Sequence, residues 1–439
     1  MKQPIRALLL ADDCNPEWPS LPVVGFKCAC AIAEHVDATV ATHIRNRPNV
    51  EKVGMGRARV EYLDTEYVAK PLYKLNTWLR GGTDVGWTTN IALNYPSYLA
   101  FEWEAWRRFG AALKNREFDV VHRITPMSPT LPSPLARFSP VPFVLGPLNG
   151  GLRWPKGYDT ERSREKEWLV KLREAYRLLP FYRSTYEHSA AVLAGFQHTI
   201  DDLPEYARSR ALNFPEVGVD PKLFSQSGER SVPTGKIKFL FCGRLVPYKL
   251  PTIPIECFAQ SPLLRQHELL IVGEGPERAA MQERIDAAGL GDTVKMLGWK
   301  KQAEVGALMR ESDVFVFPSI RELGAGVIAE AMASGLCSVA VDYGGPGDLL
   351  ADGRGIRVPL GTREELVARF TEALEGIVKN PARAHAMGQA AREFTMRELT
   401  WDAKALRTVE IYRWVLGERP DAPQDWSRDS SSSSSPLAA

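Results

Sequence analysis

The sequence predicts an α/β protein with two Rossmann-like domains, and three observations support this fold class. The chain has 439 residues, more than one core usually holds, so two domains of about 200 residues each are expected. Short apolar runs alternate with helical patterns through both halves, as in doubly wound parallel sheets. A polar, turn-rich stretch at residues 225–235 (SQSGERSVPTG) is the best candidate for a linker between the halves.

The first half, residues 1–224, opens with a continuous apolar run at residues 5–11, which is typical of a strand buried on both faces. The alternation then predicts helices at residues 23–35, 96–113 and 131–138 and strands at residues 38–42, 118–122, 142–145 and 190–195. Parallel sheets bind ligands at the carboxyl ends of their strands, where Asp12, His122 and the loop GPLNGG (residues 146–151) fall. A histidine at a strand end is more often structural than catalytic, and a plain turn explains the loop as well as a ligand site does.

A basic amphipathic segment at residues 161–179 carries apolar side chains at helical spacing. It could lie on an anionic membrane surface, or it could pack on its own domain as an ordinary helix. Its positive face is diluted by four acidic residues, Glu161, Glu165, Glu167 and Glu174. This dilution favours packing, so a peripheral membrane contact is the most that we expect.

The second half restarts the alternation after residue 235, with predicted strands at residues 236–242, 267–273, 293–297, 314–317 and 338–341. Arg244 and Lys249 lie just past the first of these strands. Two such cations near a helix N-terminus would clamp a diphosphate, arginine through its bidentate fork and lysine as a point charge. An isolated pair of loop cations is more often simply solvated, so the pair needs support from another element.

That support comes from residues 313–335, where a buried strand leads through a glycine-containing loop into a helix that ends at Gly335. Small residues stand where the helix begins, namely Gly324, Ala325 and Gly326. The unpaired amides and the positive dipole end of a helix suit an anion. Glu322 in the loop and Glu330 in the helix could accept hydrogen bonds from ribose and sugar hydroxyls. A capping glutamate and a solvated one are the equally plausible alternative from this segment alone.

Composition narrows the class of protein further. The 55 basic and 53 acidic residues give a net charge of +2, which offers no support for nucleic-acid binding. The six cysteines show no CxxC pair and no metal-ligand spacing with histidine, which favours free thiols in a reducing cytoplasm. The N-terminus lacks a signal-peptide pattern, and no apolar run approaches the roughly 20 residues of a membrane-spanning helix. A cytoplasmic location is expected, with at most peripheral contact with the inner face of the cytoplasmic membrane. Residues 418–439, rich in serine, proline and aspartate, are expected to form a disordered tail.

Taken together, the second half resembles the retaining glycosyltransferases of family four, the "group 1" glycosyltransferases. The resemblance is carried by an ordered set of motifs: FLFCGRLVPYK (239–249), LLIVGEGPE (269–277), VKMLGW (294–299), ELGAGVIAEAMASG (322–335) and VDYGGPGDLL (341–350). It covers residues 210–415, and it implies the GT-B architecture of two Rossmann-like domains facing across a cleft. Residues 236–398 would be the nucleotide-sugar-binding domain, and a closing helix at residues 399–417 would pack back on the first domain.

The resemblance also implies roles for single residues, and they agree with the local chemistry. Arg244, Lys249 and Glu322 would be catalytic: the two cations neutralise the leaving diphosphate, and the glutamate lies by the donor sugar. The implied donor-binding residues are Gly243, Gly298, Trp299, Gly324, Ala325, Gly326, Val327 and Glu330. On the acceptor side, Gly25, His122, Asn149 and Gly150 are weaker candidates. The first half departs from the family at Val24-Gly25, where a glycine pair is common, and at GPLNGG, where many members have an active-site histidine.

The leading hypothesis is therefore a retaining, hexosyltransferase-type glycosyltransferase. It would use a nucleotide-diphosphate sugar and a glycan or lipid-linked acceptor in cell-surface polysaccharide or glycolipid synthesis. No metal and no further cofactor is expected, because no carboxylate or His/Cys motif is placed to hold one at the donor site. Two alternatives stay open: a non-catalytic subunit that binds nucleotide sugars, and a sugar-nucleotide epimerase of the same fold. Release of nucleoside diphosphate from a donor panel, compared with and without lipid extract, is a simple test between them.

Overall fold

The computed structural model of the chain describes residues 4–79, 87–164, 175–225 and 230–423. These residues form two compact units, each an α/β sandwich around a parallel sheet. Unit 1 contains the described residues of Met1–Gly151 and Glu165–Glu216 together with the helix that begins at Trp401. Unit 2 contains Leu152–Arg164 and Val217–Thr400. The predicted fold class of two Rossmann-like domains is confirmed.

Unit 1 is built on seven parallel strands in the spatial order β3-β2-β1-β4-β5-β6-β7. In chain order they are β1 (Arg6–Ala11), β2 (Asp37–His43), β3 (Arg59–Leu63), β4 (Val120–Thr125), β5 (Phe143–Leu148), β6 (Ser189–Ala194) and β7 (Ala211–Asn213). Unit 2 is built on six parallel strands in the order β10-β9-β8-β11-β12-β13. They are β8 (Lys238–Cys242), β9 (Glu268–Val272), β10 (Val294–Gly298), β11 (Val314–Phe317), β12 (Cys337–Val341) and β13 (Gly355–Val358).

Helices connect these strands and cover the faces of the sheets. In chain order they are α1 (Leu21–Ala33), α2 (Arg47–Val53), α3 (Glu66–Leu79), α4 (Trp87–Lys114), α5 (Pro134–Phe138), α6 (Asp159–Arg164), α7 (Tyr182–His188), α8 (Gln197–Asp202), α9 (Glu205–Arg208), α10 (Pro221–Phe224), α11 (Ile253–Gln260), α12 (Arg278–Ala287), α13 (Gln302–Glu311), α14 (Gly326–Ala333), α15 (Gly345–Leu349), α16 (Arg363–Lys379), α17 (Pro381–Glu398) and α18 (Trp401–Val415).

The continuous apolar run of β1 is explained by burial on both faces of the sheet. Leu9 lies in one core cluster, which includes Phe26 of α1 and Tyr412 of α18. Leu8 lies in the other cluster, with Phe101 of α4. Because successive side chains of a strand point to opposite faces, a central strand covered on both sides needs apolar residues at every position.

The chain passes between the units at a different place from the predicted linker. It contributes Leu152–Arg164 to unit 2, enters unit 2 again between Glu216 and Val217, and returns to unit 1 between Thr400 and Trp401. The described part of residues 225–235 belongs to unit 2, where Nη1 of Arg230 donates to the carbonyl oxygens of Arg310 and Ser334 at 3.1 and 3.2 Å. These carbonyls end α13 and α14 and lack helical partners. A polar stretch that caps two helices resembles a linker in composition alone.

Several predictions concern residues outside the described ranges. The predicted helix at residues 161–179 is represented by α6 and by the 3-10 turn Ala175–Leu178, while residues 165–174 lie outside the described part. The same holds for residues 424–439 of the predicted tail. The closing helix is observed as α18, which packs on α1 in unit 1.

Candidate functional site

The centre of the candidate site is an ion pair between Lys249 and Glu322 in unit 2. Lys249 ends the 3-10 turn Pro247–Lys249 after β8, and Glu322 lies in the loop after β11. Because β8 and β11 are parallel neighbours, their carboxyl ends meet at one edge of the sheet. Nζ of Lys249 donates to Oε1 of Glu322, and the side chains are only 10% and 15% exposed. The structure thus brings together two of the three residues predicted to be catalytic.

Aromatic rings line the lysine side of this pair. Nζ of Lys249 lies 4.7 Å from the ring centroid of Phe317 and 5.5 Å from that of Tyr248. The faces of aromatic rings attract a cation, and the attraction is stronger where water is excluded. On the acidic side, the Ser319 hydroxyl lies 3.4 Å from Oε1 of Glu322. Both charged groups are therefore held from several directions before any ligand arrives.

Arg244 lies at the solvent-exposed part of the same sheet edge. Its Nη2 donates to the hydroxyl of Tyr248 at 2.9 Å, and its side chain is open to solvent. Tyr248 thus contacts Arg244 through its hydroxyl and Lys249 through its ring. Sequence reasoning found both cations but missed the tyrosine between them, although the motif VPYK places it directly before the lysine.

Glycines let the strand ends of this edge approach closely. Gly273, after β9, has φ +141°, and a Cβ there would overlap the carbonyl oxygen of Gly243. The amide of Gly273 donates to the carbonyl of Gly298 at 2.9 Å, so the ends of β8, β9 and β10 lie side by side. Gly243 and Gly298, both predicted to bind the donor, therefore belong to one continuous backbone surface.

The start of α14 borders the same edge. Ala325 precedes the helix with φ 47° and ψ 40°, and no side chain caps its first turn. A Cβ on Gly326 would come within 3.3 Å of Val217, so a larger residue would crowd this turn. First-turn amides without a side-chain cap can donate to an anion at the positive end of the helix dipole.

Glu330 lies one turn further along α14. Its Oε1 accepts from Nε2 of Gln302 at 3.1 Å. Gln302 is the first residue of α13, which follows β10 and the exposed Trp299, 67% of whose surface is open to solvent. The predicted ribose-binding glutamate and the predicted base-binding region are therefore linked by a glutamine that sequence reasoning did not single out.

The predicted acceptor-side residues of unit 1 make internal contacts. His122 is 1% exposed: its Nε2 donates to the Gly146 carbonyl at 2.6 Å, and its Nδ1 accepts from the Tyr412 hydroxyl at 2.7 Å. Burial lowers the pKa of His122 to about 4. A neutral histidine with both nitrogens bonded offers nothing to a ligand, so it is a structural residue.

The other three lie at tight packing positions. A Cβ on Gly25 would overlap the Asp13 carbonyl oxygen, and one on Gly150 would come within 2.7 Å of Pro129. Nδ2 of Asn149 donates to Oε1 of Glu216. These contacts explain the residue types by packing and internal bonding.

Unit 1 also contains a buried lysine that the sequence pattern did not reveal. Lys404 of α18 is 4% exposed, donates to the Pro215 carbonyl and lies 3.7 Å from the ring centroid of Phe214. Burial lowers the pKa of Lys404 to about 7. At the end of β1, burial and the neighbouring Asp13 raise the pKa of Asp12. The helical pattern of α18 gave no sign that its lysine faces inward.

Metal-ligand geometry and helix hydropathy narrow the class of site. Among the described residues, no group of three or more His, Cys, Asp or Glu side chains is arranged to hold a metal ion. Within the same ranges, no helix combines the length and the apolar character that crossing a bilayer requires. All six cysteines are free thiols.

Two α/β units, each built on a parallel sheet, are the architecture of GT-B proteins. Residues 225–394 match the family model described as "Glycosyl transferases group 1". The chain has the GT-B fold, and its second half is similar to the group 1 glycosyltransferases.

Individual relatives are similar over part of their length. The chain is 30% identical over 263 residues to the GDP-mannose-dependent alpha-mannosyltransferase of Corynebacterium glutamicum, covering 55% of this chain and 59% of the relative. It is 31% identical over 157 residues to the alpha-maltose-1-phosphate synthase of Mycolicibacterium smegmatis, covering 34% of this chain and 41% of the relative. The matched region thus spans about half the length of these relatives.

Solved structures share the fold at lower identity. Sucrose-phosphate synthase from Thermosynechococcus elongatus superposes with a TM-score of 0.60 at 17% identity, covering 94% of this chain and all of the other. At this level of identity, the likeness concerns the fold alone.

Proposed function

We propose that this protein transfers a sugar from a nucleotide-diphosphate sugar to a glycan or lipid-linked acceptor. The transfer retains the donor's anomeric configuration and serves the synthesis of a cell-surface polysaccharide or glycolipid. The observation that carries the proposal is the buried Lys249–Glu322 pair beside Arg244 and the start of α14. Such a cationic edge suits a diphosphate that gains negative charge as it leaves.

The donor would lie along the carboxyl edge of the sheet in unit 2. Its diphosphate would contact Arg244, Lys249 and the amides of residues 324–327, where the helix dipole adds positive potential. The names of the relatives support a sugar donor of this kind, since one of them is described as GDP-mannose-dependent.

The two glutamates would recognise different parts of the donor. Glu330 points from the second turn of α14, where side chains tilt toward the helix start, and it would accept from the ribose hydroxyls. Glu322 would accept from the donor sugar. Gly298 and Trp299 would border the base, with the indole offering a stacking surface.

On the acceptor side, the proposal keeps only backbone groups near residues 25 and 149–150 of unit 1. His122 is left out of the proposal, because it is buried and both of its ring nitrogens are hydrogen-bonded. We propose no metal and no further cofactor, because Arg244 and Lys249 already supply positive charge at the leaving group.

The proposal is tested with purified protein and a panel of UDP-, GDP- and ADP-sugars, measuring nucleoside diphosphate release with and without a lipid extract. Acceptor-dependent release from one donor is expected. Binding without release would instead indicate a non-catalytic subunit, and release of free sugar with a changed configuration at C2 would indicate an epimerase. A Lys249→Ala variant is the comparison, because release should be strongly reduced in it if Lys249 acts on the leaving diphosphate.

A further inference from the structure

The segment Leu152–Arg164, here called the strap, follows the GPLNGG loop in sequence but belongs to unit 2. Its far end is fixed at two points. Tyr158 is 2% exposed and its hydroxyl donates to the Gly361 carbonyl at 2.8 Å, and Arg164 forms an ion pair with Glu277. Helix α6, the last part of the strap, lies against the Pro247–Lys249 turn.

The first residue of the strap packs behind the loop that carries Glu322. Leu152 is 3% exposed and meets Gly344, where a Cβ would lie 2.8 Å from Cδ2 of Leu152 and 2.6 Å from the Glu322 carbonyl oxygen. That oxygen accepts from the amide of Gly345 at 3.2 Å. The start of the strap, the Glu322 loop and the turn at Gly344 are therefore closely packed, and a side chain at Gly344 would not fit between them.

The next residues hold the same loop from the side. The hydroxyl of Tyr343 donates to the Arg153 carbonyl at 2.8 Å. Cζ of Arg321 lies 5.0 Å from the ring centroid of Trp154, a cation–π contact. Arg321 directly precedes Glu322 in the chain. A shift of the Arg321–Trp154 contact would therefore move the backbone of Glu322.

We propose that the strap is a positioning element for Glu322 and that Trp154 is its main positioning residue. The ring fixes Arg321, Leu152 supports the backbone of Glu322, and the carboxylate is thereby aimed at Lys249. The inference depends on the proposed function for what the pair does, since it assigns the strap to the reacting end of the donor. At the ribose end, Glu330 accepts from Gln302 of α13, which is a separate segment from the strap.

This arrangement predicts a split between turnover and donor affinity. A shift of the order of 1 Å in a reacting group can cost about 100-fold in rate. In a Trp154 variant the Glu322 loop keeps its backbone contacts, so the loss of rate should be smaller. We expect Trp154→Ala to lower kcat about tenfold and to change the donor Kd by less than about twofold, because Glu330 and α14 are untouched. Trp154→Phe keeps a ring face and should recover most of the activity.

The decisive comparison uses Glu322→Ala as the background. If Trp154 acts through Glu322, Trp154→Ala should have no further effect on kcat once the carboxylate is absent. A general loss of folding would lower the rate in both backgrounds. Trp103→Ala is the matched control, because this tryptophan is 61% exposed and lies in unit 1.

Hydrogen exchange provides a readout that needs no turnover. Amides of residues 319–323 should exchange faster in Trp154→Ala than in the wild type or in Trp103→Ala, while those of α16 stay unchanged. Unchanged exchange at residues 319–323, or full kcat in Trp154→Ala, would overturn the proposal. So would an equal loss of rate in the Glu322→Ala background. Should the wild type release no nucleoside diphosphate from any donor, the proposed function fails and the exchange experiment still decides the role of the strap.

Discussion

Lys249 and Glu322, 73 residues apart in the chain, form a direct ion pair whose side chains are 10% and 15% exposed. Removing two charges from water costs several kcal/mol per ion, so a buried pair is a poor way to gain stability. An ammonium held in this way among aromatic rings is instead preorganised for charge that develops in a reaction. The pair therefore has the character that the proposed donor site requires.

The first prediction concerns Lys249→Ala. The ammonium acts mainly as the diphosphate leaves, so kcat should fall by about 100-fold or more while the donor Kd changes only a few-fold. Steady-state transfer rates and calorimetric titration with the donor measure the two quantities. Full activity in this variant would refute the assignment of roles.

The matched control is Lys295→Ala, which removes an exposed lysine of β10 in the same unit. It should leave both constants unchanged. Glu322→Ala should also impair turnover, and the double variant with Lys249→Ala should lose less than the product of the single losses, because the two residues contact each other.

The second prediction concerns Glu330→Ala. Loss of a carboxylate that accepts from ribose should weaken donor binding about tenfold, the scale of a hydrogen bond to a charged group, with a smaller change in kcat. Gln302→Ala serves as the control, because it removes the amide that contacts Oε1 and leaves the carboxylate in place. An unchanged donor Kd in Glu330→Ala, measured by calorimetry, would show that the ribose binds elsewhere.

The edge of unit 2 that carries Arg244, Lys249 and Glu322 could be predicted from sequence, because its geometry follows from one rule. Arg244 and Lys249 follow one strand and Glu322 follows another, and carboxyl ends of neighbouring parallel strands share an edge. The pattern of apolar runs is enough to place these strands in one sheet. The contact with Tyr248 and Phe317 could not be predicted, because it depends on side-chain direction at the ends of two loops.

Other features were hidden for different physical reasons. The strap carries no apolar periodicity that would reveal that it packs on unit 2. The position of His122 at a strand end made it a ligand candidate. Its ring is instead hydrogen-bonded to the Tyr412 hydroxyl of α18, 290 residues away in the chain. Residues 225–235 have the composition of a linker, yet Arg230 donates to the carbonyls of Arg310 and Ser334 at two helix ends. Long-range contacts of this kind leave no local signal.

The third prediction concerns membrane binding by residues 161–179. We expect no tight association with anionic vesicles, because Arg164 is paired with Glu277 and Arg162 lies 2.7 Å from Asp159. Co-sedimentation with vesicles containing an anionic phospholipid measures the association. Strong binding that is lost when Arg162, Arg164, Lys166 and Lys171 are replaced would show that the segment is an anchor.

The fourth prediction is a loss of stability in mild acid. Burial lowers the pKa of His122 from 6.5 to about 4, so the folded state keeps it neutral while the unfolded state takes up a proton below pH 6.5. The stabilisation is complete above pH 6.5 and is lost as the pH falls toward 4, by about 3 kcal/mol for this residue. Urea unfolding of unit 1, followed at several pH values, measures the slope.

The variant His122→Gln should reduce the pH dependence of the free energy of unfolding between pH 6.5 and 4. Tyr412→Phe keeps the imidazole, so it should keep most of this pH dependence. Burial also lowers the pKa values of His43 and His198 to about 4, so a part of the slope should remain in the first variant. An unchanged slope in His122→Gln would mean that His122 protonates freely in the folded protein.

The last prediction concerns the chemistry of transfer. The leaving diphosphate gains negative charge, and enzymes meet that need either with a divalent ion or with fixed cations and dipoles. Here Arg244, Lys249 and the start of α14 stand at one edge, so transfer should continue at an undiminished rate in excess chelator. The first-formed product should carry the anomeric configuration of the donor, which the anomeric proton coupling reports in a fresh reaction. A strict requirement for a divalent ion would mean that the ion, and not Lys249, stabilises the charge of the leaving diphosphate. A product of inverted configuration would mean that Glu322 serves a different reaction.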